Sequence, residues 1–155
     1  MGRAKGRAER KRLTLAGSFA EGMDVVCIRA GEANSYTFGA ELLGASASKF
    51  NGAPVFADHQ TSGMAPRSIR DLVGVIGSAR YDLETEEVRA RLQLSNRAAW
   101  LAEMIREFRD RPDVFGLSAD MWVQHRKGVV TEIEKVNSVD VVISPAAGGR
   151  FLGQE

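Results

Sequence analysis

Four apolar residues at every second position, Val88, Ala90, Leu92 and Leu94, alternate with Arg89, Arg91 and Gln93. A period of two places the two sets on opposite faces of a strand, so this segment belongs half buried in a sheet. With residues 71–81 before it, it predicts a hairpin over 71–81 and 87–94. Further strands are predicted over 13–19, over 24–30 between Gly22 and Gly31, up to His59 after the turn Asn51-Gly52, and over 114–124, 129–136 and 139–143. Arg126-Lys127-Gly128 reads as a turn. One or two helices accompany them. Residues 40–50 have a weak helical pattern with Leu42, Leu43, Ala47 and Phe50 on one face. A stronger one starts at a Ser95 or Asn96 cap, places Trp100, Leu101, Met104, Ile105 and Phe108 at helical spacing and ends before Pro112. That stripe is expected to pack against the sheet. Periodicity therefore predicts an α+β fold with a strand-rich core, compatible with a small, mainly antiparallel β-barrel flanked by helices.

A chain of 155 residues, 44% hydrophobic, is expected to be one domain around one core. It contains no apolar run long enough to span a membrane and no apolar stretch behind its basic start, which predicts a soluble, cytosolic protein. Cys27 is the sole cysteine, which excludes an internal disulfide and a cysteine-based zinc site. It is expected to be a small buried residue. Charge is unevenly spread. Residues 1–12 hold six basic residues against Glu9, a formal excess of +5, leaving 15 basic and 19 acidic residues in the rest of the chain. The first 12 residues read as a basic, disordered arm, and residues 13–155 as the folded domain.

His59, Ser118 and Asp140 each sit in a short apolar segment. A serine hydroxyl becomes a useful nucleophile when a base lies within hydrogen-bond reach and a third group holds that base in the right tautomer. Of the two histidines, His125 neighbours Arg126 and Lys127 at the predicted turn and reads as a surface residue, leaving His59 as the base. Asp58 adjoins His59, but in a strand its side chain would face the other way. Asp140 lies within Val139-Asp140-Val141-Val142-Ile143, where a buried carboxylate needs a donor such as the imidazole N–H. The competing reading pairs Asp140 with backbone or an arginine and makes Ser118 an ordinary strand serine, with Gly116 only a bend. After Asp140, the loop Pro145-Ala146-Ala147-Gly148-Gly149-Arg150 can present consecutive backbone N–H groups to an oxyanion, with Gly149 and Arg150 as candidates. No third ligand accompanies His59 and Asp58 at a metal-site spacing, so no metal or cofactor is expected.

Four blocks carry a resemblance that runs from Gly22 to Phe151: Gly52-x-Pro54-Val55-x-x-Asp58-His59, Asp71-Leu72-Val73-Gly74, Gly116-Leu117-Ser118, and Ser138-Val139-Asp140-Val141-Val142-x-x-Pro145-Ala146-Ala147-Gly148-Gly149. Together they resemble the tailed-phage prohead proteases, serine proteases of capsid maturation related in fold to herpesvirus assemblin. The resemblance implies the small barrel flanked by helices, with Ser118 as nucleophile, His59 as base and Asp140 in the third position, where assemblins place a second histidine. Assemblins carry an arginine-bearing oxyanion loop where this chain has Gly149-Arg150. The family works without a cofactor. Its location would be the host cytoplasm, inside the immature capsid, and its partners scaffold protein, major capsid protein and copies of itself. The basic arm is a candidate for self-cleavage. Two other classes compete: a non-catalytic assembly module that binds scaffold, against which stands the retention of all three residue types, and a nucleic-acid-binding barrel, which an acidic domain without an aromatic platform disfavours.

Overall fold

The computed structural model describes residues 19–60 and 66–153. The basic arm over 1–12, residues 13–18 of the strand predicted over 13–19, and residues 61–65 lie outside those residues. The fold is α+β and mostly strand. Among the described residues nine strands run in the order β1 (Phe19–Arg29), β2 (Gly31–Ala33), β3 (Tyr36–Phe38), β4 (Pro54–Phe56), β5 (Leu72–Asp82), β6 (Glu87–Ser95), β7 (Phe115–Arg126), β8 (Val129–Ile143) and β9 (Arg150–Gly153). Helix α1 (Ala40–Ser46) continues as a 3-10 turn to Phe50, and helix α2 (Ala99–Glu107) follows a 3-10 turn after β6.

The strands form a five-stranded sheet, β4-β5-β6-β1-β9, and a four-stranded sheet, β2-β3-β8-β7. Neither sheet closes on itself. Isolated bridges join them at two places: Ala57, just beyond β4, pairs with Val141 of β8, and Leu117 of β7 pairs with Gly149, just before β9. The core lies between the sheets. In β6 the predicted alternation holds, with Val88, Ala90, Leu92 and Leu94 fully buried. They meet Val25 and Ile28 of β1, Ile76 of β5 and Phe50 after α1 in one cluster. Each such side chain contributes roughly 1.5–3 kcal/mol when withdrawn from water. Cys27 is buried among them, and burial pushes its thiol up to about 12.

Several boundaries differ from the sequence expectation. β1 runs straight through Gly22, because β6 pairs with it there and Gly22 faces Gln93. The two strands predicted over 129–136 and 139–143 are one: β8 continues through Asn137 and Ser138, and the shifts near them are bulges in its ladder with β7. A bulge breaks the period of two without ending the strand, which is how it imitates a turn. The strand predicted to reach His59 stops at Phe56, and Asp58 takes a left-handed conformation, φ 73°. The argument that Asp58 points away from His59 across a strand therefore does not apply. Finally, α2 ends at Glu107, and its stripe divides. Leu101 and Ile105 are buried, whereas Trp100, Met104 and Phe108 remain partly exposed.

Candidate active site

The β7–β8 hairpin turns at Lys127 and Gly128, both at positive φ (52° and 86°), the backbone form that matches the twist of paired strands. Its register then sets Ser118 directly opposite Asp140, and opposed residues of an antiparallel pair project from the same face. One hairpin thus carries both hydroxyl and carboxylate. The third group arrives from the other sheet. Ala57 N–H donates to Asp71 O at 2.8 Å and Asp58 N–H donates to Val141 O at 2.8 Å, so the chain leaving β4 is fastened to the residue just before β5 and to β8 as it enters the turn. That turn places His59 over the hairpin.

The imidazole joins the other two side chains. Nδ1 lies 2.8 Å from Asp140 Oδ2, and Nε2 lies 3.2 Å from Ser118 Oγ. With Nδ1–H donating to the carboxylate, Nε2 is free to accept the hydroxyl proton. Asp140 is fully buried, while the His59 side chain is 48% exposed. The carboxylate lies inside and the imidazole reaches the surface. Ser118 and His59 border a cavity of about 300 Å³ that is also lined by Ala119, Met121, Ala146 and Ala147. His59 borders a second concavity of about 220 Å³ with Asp58, Gln60, Arg67 and Asp71.

The remaining candidates fall elsewhere. Gly149 sits at the seam beside Ser118: Leu117 N–H donates to Gly149 O at 3.1 Å. A Cβ at Gly149 would lie 2.0 Å from Leu117 O, and one at Gly116 would lie 2.4 Å from Gly149 O. The two glycines exist here for close backbone approach, rather than for a bend at Gly116 alone. The Arg150 guanidinium pairs with Glu87. Its Nη1 donates to Glu87 Oε2 at 2.7 Å and lies 3.4 Å from Gly148 O. Of the loop, Ala146 and Ala147 are the residues that line the Ser118 cavity. Asp58 is exposed. His125 is exposed at the hairpin turn, where its Nδ1 accepts from Gly128 N–H at 3.2 Å and its ring meets Tyr36 edge-on.

Arg67 is the residue that sequence reasoning passed over. Its Nη1 lies 3.5 Å from Asp140 Oδ2, its Nη2 donates to Asp58 O at 2.9 Å, and its guanidinium covers the Phe56 ring at 4.0 Å. Asp140 thus meets both partners weighed from the sequence, a histidine and an arginine. Among the described residues no three His, Cys, Asp or Glu side chains gather as a metal site would require. No helix among them is long and apolar enough to cross a membrane. Comparisons of the chain with protein-family models, with curated proteins and with solved structures found no match.

Proposed function

We propose that this chain is a serine endopeptidase of the prohead maturation type, which cuts scaffold and capsid-precursor proteins inside an immature capsid. The observation that carries the proposal is the relay Asp140–His59–Ser118, 2.8 and 3.2 Å long, at the mouth of a cavity large enough for a peptide side chain. In this reading Ser118 Oγ attacks the scissile carbonyl carbon while His59 Nε2 takes the hydroxyl proton. Asp140 holds Nδ1–H and steadies the imidazolium. Collapse of the tetrahedral intermediate breaks the C–N bond as His59 returns the proton to the leaving amine. A water then repeats the sequence on the acyl-enzyme and frees Ser118. Backbone N–H groups of the 145–149 loop are the proposed oxyanion donors, with the Arg150 side chain left to anchor that loop.

Two further features support the family assignment. All four blocks of the resemblance converge on the site: the first forms β4 and the turn of His59, the second accepts the Ala57 N–H at Asp71 and pairs Gly74 with Val55, and the other two form the Ser118–Asp140 hairpin and its loop. Moreover, following the bridges Ala57–Val141 and Leu117–Gly149 from sheet to sheet gives the circuit β4-β5-β6-β1-β9-β7-β8 and back to β4. That circuit favours the herpesvirus-protease-like barrel as the finer description of the fold.

A fluorophosphonate probe on the purified full chain tests the chemistry. Wild type should take up one probe and Ser118→Ala none. A folded wild type that stays unlabelled would leave the non-catalytic assembly module as the better reading. Co-expression with candidate scaffold tests the substrate, since cleavage should require Ser118.

A further inference from the structure

We infer that Arg67 is a positioning residue of the proposed hydrolase, whose guanidinium ties the turn bearing His59 to the strand bearing Asp140 and thereby fixes the imidazole between acid and nucleophile. The inference rests on the hydrolase reading. It starts from a contrast: with 48% of its side chain exposed, His59 has little packing to hold its ring, so its orientation depends on hydrogen bonds and on the backbone that delivers it. That backbone is strained. Asp58 immediately precedes it at φ 73°, a region that non-glycine residues occupy only when their surroundings insist. The Asp58 peptide groups are gripped on both sides, the N–H by Val141 O at 2.8 Å and the carbonyl by Arg67 Nη2 at 2.9 Å.

Arg67 makes the second grip and extends it. Its other terminal nitrogen lies 3.5 Å from both Asp140 Oδ2 and Ser138 Oγ, and its plane rests on Phe56, the last residue of β4. One side chain therefore reaches the end of β4, the strained turn and two residues of β8. Only 19% of it is exposed, so these contacts operate with less solvent screening than a surface ion pair. The planar fork allows it. One terminal nitrogen points at the turn while the other points at the strand, a division that a single ammonium cannot reproduce.

The experiment measures the second-order rate of Ser118 labelling by a fluorophosphonate in the full chain. Arg67→Ala and Arg67→Lys are each made in the wild-type and the Asp140→Asn backgrounds, with melting curves for every variant and Ser118→Ala as control. Arg67→Ala should lower the rate about 10- to 100-fold, as loss of an orienting partner does at other sites. Arg67→Lys, which keeps charge without the fork, should stay at least about 5-fold below wild type. In the Asp140→Asn background the same changes should cost less than about 3-fold, because a residue that aligns the imidazole with the Asp140 carboxylate has little left to align. An Arg67→Ala rate within about 3-fold of wild type, or an equal loss in both backgrounds, would overturn the inference and leave Arg67 a packing residue. Should Arg67→Ala fail to fold, Arg67→Lys carries the same comparison. A folded wild type labelled no faster than Ser118→Ala would instead remove the hydrolase reading itself.

Discussion

At the residue scale the two aspartates weighed as partners of His59 separate cleanly. Asp140 is fully buried and meets Nδ1, whereas Asp58 is exposed and contributes its backbone rather than its carboxylate to the site. Asp140→Asn should therefore keep the fold but lower the labelling rate by about 10³- to 10⁴-fold, the cost of the wrong tautomer in a triad. Asp58→Asn should stay within a few-fold of wild type, since asparagine tolerates the left-handed conformation as well as aspartate does. Equal losses at both positions would show that the turn, rather than the acid, controls His59. Ser118 and Asp140 were legible in the sequence because a hydroxyl and a carboxylate inside apolar strands demand a reason. His59 was legible by elimination, there being only one other histidine. Arg67 was not legible. It stands in a polar loop with Arg70 close by, and no spacing rule tells which guanidinium folds back onto a carboxylate 73 positions away.

At the scale of elements, the seam between β7 and the loop before β9 bears directly on Ser118. Gly149 leaves no room for a Cβ, and its carbonyl binds the amide of Leu117, the residue before Ser118. Gly149→Ala should destabilise the protein by about 1–3 kcal/mol, in the range of an overpacked interior, and slow labelling as well. Urea denaturation and the probe rate measure the two effects. A variant as stable and as reactive as wild type would mean that the seam opens without cost. Helix α2 offers a contrast within one element. Leu101→Ala should cost about 2–5 kcal/mol because that side chain is buried. Met104→Ala, on the partly exposed side, should cost less than about 1 kcal/mol. The sequence showed the helical spacing but not which residues of the stripe would be covered, because that depends on where the neighbouring sheet ends. Likewise β6 was legible through an unbroken period of two, while the bulges of β8 concealed a single strand as two.

For the molecule as a whole, the ion pair between Glu87 and Arg150 connects the first residue of β6 with the first of β9, across the intervening β1. Nothing in the sequence marked Glu87 as buried, since it stands at a strand end beside a turn. Burial tends to raise its carboxyl pKa, but hydrogen bonds from Arg150, Thr85 and Arg89 and the charge of Arg150 outweigh burial and hold the group below the ordinary glutamate range. A carboxyl depressed in the folded state stabilises fully above its unfolded value, about 4.3, and that contribution drains away as pH falls through the lower folded value. Stability should therefore fall with acid below about pH 4, in part through this pair. Glu87→Gln should lower stability at pH 7 by on the order of 2–3 kcal/mol, the scale of a lost charged hydrogen bond, and should flatten that part of the acid dependence. Because Arg150 directly follows the seam residue Gly149, the same variant should also slow Ser118 labelling, although it lies outside the relay. Urea denaturation of both proteins at several pH values between 3 and 7, with probe rates at pH 7, decides the matter. Parallel pH curves for the two proteins would show that Glu87 carries no titrating share of stability, and an unchanged probe rate would show that the 145–149 loop is held without Arg150.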